Sequence, residues 1–357
     1  MAVEKQYLGG TKSVSPEYAV DMAALEAHLA SSVAGFEGPI EDLRQFEGGQ
    51  SNPTYLMTTP SGRYVLRRKP PGEHHPSAHA VDREFRVMKA LGERGFPVPR
   101  VLELCEDESV IGSAFYLMAH IEGRVFWDPL MPDLQPSERR AAYDAMADTL
   151  ADLHNLDLAE LGLSDYGKPG NYFARQIGRW SKQYLAAAQA PLPAMSRLIE
   201  WLPTAIPDDD ETTLIHGDFG CHNVMLAPSS PDIVAVLDWE LSTLGHPISD
   251  LAYCLIPWYR PDVDDGRSSF KDIDFAAMGV PTMEQFAARY FERRGRPPVH
   301  DLDFYCAFNL FRAAAIGEGI VARARQGVAV GADAASFAET VKIYADAGLT
   351  HAVRAGA

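Results

Sequence analysis

Apolar and polar positions alternate over Leu43 to Phe46, Thr54 to Thr58 and Tyr64 to Arg67, the period of half-buried strands. The clusters GGQSNP and TPSG between these runs supply turns, so the three segments predict an antiparallel sheet. An amphipathic helix is predicted before them, around Tyr18 to Val33. After them Phe85, Met88 and Leu91 recur three apart and predict a helix over Asp82 to Glu93, and PVP then leads into strands near Val101 to Leu104 and Ala114 to Ile121.

Beyond Glu122 and Gly123 the period changes. AAYDAMADTLADLHNL is helical in pattern, and further helices are predicted near Tyr172 to Ala188, Met195 to Trp201, Met283 to Arg294 and Phe304 to Arg325. Two short apolar strands, Asn223 to Leu226 and Ile233 to Leu237, interrupt this helical part, each beside polar residues. The expected organisation is therefore residues 1–121 as a strand-rich lobe and residues 122–357 as a helical lobe, sharing a cleft because no long linker separates them.

At 357 residues, with 46% hydrophobic and 23% charged positions, the chain can bury a sizeable core. A formal net charge of −17 opposes a nucleic-acid or anionic-membrane partner, since most of the surface repels phosphate. No apolar stretch approaches the roughly 20 residues that span a bilayer, and MAVEKQYLGGTKS lacks a secretory h-region, which makes a cytoplasmic location the expectation. Cys105, Cys221, Cys254 and Cys306 are far apart and form no C-x-x-C pair, so neither a disulfide framework nor a zinc site is expected. His74, His75 and His79 sit in a proline-rich segment without a closing ligand set and read as loop residues.

The chemistry concentrates in His216-Gly217-Asp218-Phe219-Gly220-Cys221-His222-Asn223 and, after a strand, in Leu237-Asp238-Trp239-Glu240. Phosphoryl transfer needs an orienting carboxylate at the acceptor hydroxyl and magnesium at the nucleotide phosphates. Asp218 suits the first task. Asn223 and Asp238 offer the sparse oxygen set that magnesium accepts when waters and phosphates complete its octahedron. His222 and His246 read as hydrogen-bonding loop residues, and Glu240 either faces the same cleft or caps the next turn.

H-G-D-x-x-x-x-N followed by a strand ending in Asp resembles the catalytic and metal loops of the aminoglycoside phosphotransferase and choline kinase family. The resemblance runs over about residues 40 to 260 and implies an α+β, protein-kinase-like two-lobed fold with ATP and Mg2+ as cofactors. It implies further that His216 and Asp250 support the catalytic loop, that Gly48, Gly49, Ser51 and Asn52 form the nucleotide-covering turn, and that Met118, Ala119 and Ile121 form the adenine-binding hinge. Where the family carries a strand lysine paired with a helix glutamate, this chain departs: the position falls on Arg67, with Glu84 as its partner and Lys69 two residues on.

Within that family, YVLRRKPPG, SAHAVDREFRVMKAL and LDWELSTLGHPISDLAY are most similar to the kinase-like domain joined to certain acyl-CoA dehydrogenases, implying a hydroxyacyl-CoA or related acceptor. Arg175, Arg179 and Lys182 fall on one face of a predicted helix and are candidates to receive the phosphates of such an anionic acceptor; a solvated helix face is the alternative. The expected activity is an ATP- and Mg-dependent small-molecule kinase, against a non-catalytic nucleotide-binding pseudokinase or an aminoglycoside-modifying kinase. Its expected partner is a small-molecule acceptor.

Overall fold

A computed structural model describes residues 10–47, 52–72, 80–263, 266–299, 301–325 and 334–357. Gly48, Gly49, Ser51, His74, His75 and His79 lie outside the described residues. In chain order the elements are β1 (Thr11–Ser13), α1 (Met22–Ser32), β2 (Asp42–Phe46), β3 (Thr54–Thr59), β4 (Gly62–Arg68), α2 (Val81–Glu93), β5 (Val101–Cys105), β6 (Phe115–Ala119), α3 (Pro136–Asn155), α4 (Tyr172–Ala187) and α5 (Pro193–Trp201). They continue with β7 (Thr213–Ile215), β8 (Val224–Leu226), β9 (Ile233–Val236), β10 (Thr243–Gly245), α6 (Pro247–Cys254), α7 (Ile256–Tyr259), α8 (Phe275–Met278), α9 (Met283–Arg294), α10 (Asp303–Arg325) and α11 (Ala334–Arg354). The class is α+β. No helix among the described residues is long and apolar enough to cross a membrane.

Contacts divide the chain into two compact units that are not linear segments. The first holds Met1–Trp127, Leu158–Ser164 and Cys221–Ser242; the second holds Asp128–Asp157, Asp165–Gly220 and Thr243–Ala357.

The first unit is built on an antiparallel sheet of order β1-β2-β3-β4-β6-β5. Its pleat sorts side chains by face, because successive residues of a strand point to opposite sides. Tyr55, Met57 and Leu66 fall on one face and pack with Leu25 and Leu29 of α1 in a buried core. Thr54, Leu56, Val65 and Arg67 fall on the other and line a cavity. The same alternation separates two adjacent arginines. Arg68 turns to the α1 side, where its guanidinium donates to Ser113 Oγ at 2.9 Å and to the Ala19 carbonyl at 3.4 Å.

In the second unit α10 packs along α11 and against α4 and α6, and its residues from Phe304 to Phe311 are buried throughout. A helix apolar on all sides belongs inside a bundle, which explains its weak amphipathicity. Strands β7 and β10 form a two-stranded ribbon, and α6 begins immediately after β10. His246 caps α6 by accepting from the Ile248 N–H at 3.2 Å, and Pro247 occupies the first helical position, where its missing N–H costs nothing.

Candidate active site

The first unit contains a cavity of about 500 Å3. Val65, Met88, Met118 and Met225 give it apolar walls, while Arg67, Glu84, Asn223 and Asp238 bring polar groups into it. Arg67 Nε lies 2.8 Å from Glu84 Oε2, an ion contact without the alignment of a hydrogen bond. Glu84 also accepts from Asn52 Nδ2 and from the Tyr116 hydroxyl, each at 3.0 Å. Asn52 is fully buried in that contact.

Burial pushes the Glu84 carboxyl up to about 7, an effect that Arg67 and Tyr116 only partly offset and that the nearby charges of Asp238 and Glu240 reinforce. Burial alone would lower the Arg67 pKa, but Glu84, Tyr116, Asp238 and Glu240 together outweigh it and raise the value, so the guanidinium stays charged. Its Nη2 reaches Asp238 Oδ1 at 3.0 Å and lies 3.6 Å from Glu240 Oε2. Glu240 thus lies beside Arg67, in the short helical turn that follows Asp238.

Strands β8 and β9 form the hairpin that carries Asn223 and Asp238 at its two ends, where Leu237 N–H donates to the Asn223 carbonyl at 2.8 Å. Asp238 has φ +61°, a left-handed conformation that aspartate tolerates better than most residues. The hairpin is joined to the segment after β6 by reciprocal hydrogen bonds between Arg124 and Leu226, at 2.8 and 2.9 Å. Gly123 permits that approach, since a Cβ there would stand 2.6 Å from the Leu226 carbonyl oxygen. At the end of β6, Ala119 N–H donates to the Arg100 carbonyl at 2.9 Å, and Met118, Ala119 and Ile121, the residues expected to form a hinge, line the cavity.

The donor set fits a magnesium nucleotide. Asp238 and Asn223 are oxygen donors on one cavity, Arg67 is a cation beside them, and the apolar walls suit a flat heterocycle.

In the second unit Asp250 braces the loop that follows β7. Its Oδ2 accepts from His216 N–H at 2.7 Å and its Oδ1 from Gly217 N–H at 2.8 Å. Gly217 has φ +83°, where a side chain would be strained. His154 Nε2 lies 3.2 Å from Asp250 Oδ2, and its Nδ1 lies 2.7 Å from the Tyr290 hydroxyl. Burial lowers the His154 pKa, so the ring is neutral; with the carboxylate able only to accept, Nε2 carries the proton and Nδ1 accepts from Tyr290. Burial by itself would raise Asp250, but the hydrogen bonds from His154 and the His216 backbone bring its carboxyl below the usual range. His216, fully buried, accepts from the Asp218 N–H at 3.2 Å through Nδ1. Asp218 itself is half-buried, and its Oδ1 accepts from the Tyr253 hydroxyl.

Arg175, Arg179 and Lys182 all lie on α4. Arg175 donates to the carbonyls of Gly170 and, at 2.6 Å, of Lys168, so its guanidinium ties down the turn before the helix. Arg179 and Lys182 are exposed, with Arg179 5.1 Å from the Trp180 ring centre. Two residues of the site escaped the sequence analysis although a signal was present. Tyr116 shares a strand face with Met118, two residues away, and Tyr253 lies three residues after Asp250 on one helix.

The model of the phosphotransferase enzyme family matches residues 42–300. Acyl-CoA dehydrogenase family member 10 of Mus musculus is 43% identical over 97% of the chain, and the chain spans 32% of that relative's length. A solved structure of a candidate aminoglycoside phosphotransferase from Ralstonia eutropha JMP134 is 43% identical, covers 94% of this chain and 99% of its own, and superposes with a TM-score of 0.86. A thermostable mutant aminoglycoside phosphotransferase, solved in ternary complex with AMP-PNP and hygromycin B, is 19% identical, covers 94% of this chain and 99% of its own, and has a TM-score of 0.59; that likeness is one of fold, the protein-kinase-like one.

Proposed function

The chain belongs to the phosphotransferase enzyme family, as an enzyme of the small-molecule kinase type, and from that premise we propose that it transfers the γ-phosphoryl group of ATP to a hydroxyl of an acyl-CoA-like metabolite. The observation that carries the nucleotide half of this reading is the first unit's cavity, apolar along Val65, Met118 and Met225 and charged at Arg67, Glu84 and Asp238. In it Met118 and Ile121 meet the base, with the Ile121 main chain as the hydrogen-bonding edge because the Ala119 N–H is engaged by Arg100. Arg67, held by Glu84, faces the phosphates. Gly48, Gly49 and Ser51 cover them in the same reading, which leaves Asn52 to orient Glu84.

Asp238 and Asn223 would hold Mg2+, which when bound neutralises charge on the phosphate oxygens. Asp218, its loop braced by Asp250 and His216, orients the acceptor hydroxyl and takes its proton as the acceptor oxygen bonds to phosphorus. The bond from phosphorus to the bridging oxygen breaks in that step, and ADP leaves with the electron pair. Residues 1–121, together with the β8–β9 hairpin, serve the nucleotide, and the rest of residues 122–357 the catalytic loop and the acceptor, in a cytoplasmic protein.

The acyl-CoA preference is supported by the 43% identity to a relative named for acyl-CoA dehydrogenase, over a region that is a minor part of it. The test is incubation of the protein with Mg-ATP and a panel of hydroxyacyl-CoAs, aminoglycosides and choline, with mass spectrometry for products heavier by one phosphoryl group. Phosphorylation of a hydroxyacyl-CoA is expected. Turnover confined to an aminoglycoside would replace the acceptor class, and ATP binding without ADP release would leave a nucleotide-binding module.

A further inference from the structure

We propose that Tyr253 is a positioning residue for Asp218, holding the carboxylate in the orientation from which it receives the acceptor proton; this rests on the reading of Asp218 given above. The geometry lies wholly within the second unit. Helix α6 presents Asp250 and Tyr253 three residues apart, on one side of the helix. Asp250 fixes the backbone N–H groups of His216 and Gly217, at 2.7 and 2.8 Å, and the Tyr253 hydroxyl donates to Asp218 Oδ1. One helix therefore sets both the path of the loop and the direction of its functional side chain.

Arg312 of α10 completes the arrangement. Its guanidinium donates to the Gly217 carbonyl at 3.1 Å and lies over the Tyr253 ring, 5.3 Å from its centre, and 5.9 Å from the centre of the Trp180 ring. A cation on a ring face holds the plane of the phenol, so the hydroxyl that meets Asp218 is itself fixed. Arg312 is buried, which keeps this contact out of solvent exchange.

An aspartate side chain has two torsions, and its backbone anchors leave both unset. A donor at one oxygen fixes them, at the cost of one hydroxyl that burial would in any case require to be paired. Tyr253 is not itself the base. Burial, with the charge of Asp218 added, drives its phenol above the ordinary tyrosine value, against smaller opposing effects of Arg312 and Arg267, so it remains a donor throughout the working pH range.

The test compares Tyr253→Phe, Asp218→Ala and the double variant with the parent protein, reading ADP release from Mg-ATP in the presence of the panel of hydroxyacyl-CoAs, aminoglycosides and choline. Loss of a hydrogen bond to a charged group predicts that Tyr253→Phe lowers kcat about 10-fold and leaves the KM for Mg-ATP within about 2-fold. The melting temperature should stay within about 2 °C, since Phe keeps the ring and the Arg312 contact. Asp218→Ala should reduce turnover to background, and adding Tyr253→Phe to it should cost nothing more, because the pair acts through one carboxylate. Parent-like kcat in Tyr253→Phe beside an inactive Asp218→Ala overturns the role of Tyr253 and leaves that of Asp218 standing. A raised Mg-ATP KM or a large fall in melting temperature marks Tyr253 as structural and overturns it too. Near-normal turnover by Asp218→Ala, or a parent protein that releases no ADP, removes the underlying reading and the inference with it.

Discussion

Arg67 and Glu84 form an ion pair of 2.8 Å in which both side chains are buried, and the same guanidinium reaches Asp238 at 3.0 Å. A lysine is a single point charge, whereas the planar fork of arginine can meet two carboxylates at once. Arg67 thereby ties the helix glutamate to the carboxylate proposed to hold the metal. Arg67→Lys is expected to keep the Glu84 pair and bind Mg-ATP within about 3-fold of the parent, losing only the second arm. Arg67→Ala should weaken Mg-ATP binding by about 10-fold or more. It should also destabilise the protein at pH 8 by about 3 kcal/mol, because a buried carboxylate is left without its cation. Calorimetric titration and urea unfolding measure the two effects. Unchanged ATP affinity in Arg67→Ala, together with its loss in Lys69→Ala, would show that the nucleotide meets the other cation.

Glu84 carries a pH dependence of stability with a defined sign. Burial raises its folded-state pKa to about 7, above the ordinary 4.5, so the folded protein binds more protons between those values than the unfolded chain does. The contribution is fully present below about pH 4.5 and is lost as pH rises through about 7. The stability of the parent relative to Glu84→Gln, which does not titrate, should therefore fall from pH 5 to pH 8. Urea unfolding of both proteins at intervals across that range checks it; a difference that stays flat or grows would rule out a raised Glu84 value.

The strands of the first unit were legible because part of their alternation survives in sequence: Tyr55 and Met57, set between Thr54 and Thr58, mark the core face, while Leu56 breaks the pattern because the opposite face lines a cavity with apolar walls. Long helices such as α9 were legible for the same reason, their period repeating over several turns. The ribbon of β7 and β10 was not, since three-residue strands are too short to show a period. Helix α6 shows no period of its own, with Pro247, Ser249 and Asp250 in its first turn, and its start was legible only through the resemblance that marks Asp250. In the site, Asp250 and Asp218 could be marked through a resemblance of motif. The pairing of Arg67 with Glu84 could be marked in the same way, but the hydrogen bonds of Asn52 and Tyr116 to that glutamate could not, because no local pattern records which distant side chains a fold brings to one buried carboxylate.

Asp218 and Asp238 should separate chemistry from binding. Asp218 engages Tyr253 and its own loop, while Asp238 lies on the cavity with Arg67. Asp218→Ala is expected to abolish transfer to an identified acceptor and leave Mg-ATP affinity within about 3-fold of the parent. Asp238→Ala should weaken nucleotide binding in the presence of magnesium and have a smaller effect in its absence. Titration with ATP in magnesium and in EDTA reads the difference; equal losses under both conditions would mean that Asp238 acts through Arg67 alone.

The acceptor contacts proposed on α4 divide once their surroundings are considered. Arg175 has its guanidinium committed to the carbonyls of Gly170 and Lys168, so Arg175→Ala is expected to lower stability by about 1 kcal/mol, chiefly through the loosened turn before the helix. Arg179 and Lys182 are exposed. In a chain of net charge −17, two such cations are a local exception that an anionic metabolite would find, and Trp180 adds a ring beside Arg179. Arg179→Ala should raise the KM of a hydroxyacyl-CoA acceptor about 3- to 10-fold at low salt, with the difference shrinking as ionic strength rises, and should leave Mg-ATP binding unchanged. Steady-state kinetics of Arg179→Ala and Lys182→Ala at 20 and 300 mM salt, concentrations that span about 20 to 6 Å of screening length, provide the measurement. If both variants use the acceptor as the parent does at either salt, this face of α4 is solvated surface, and recognition of the anionic group falls to another element of the second unit.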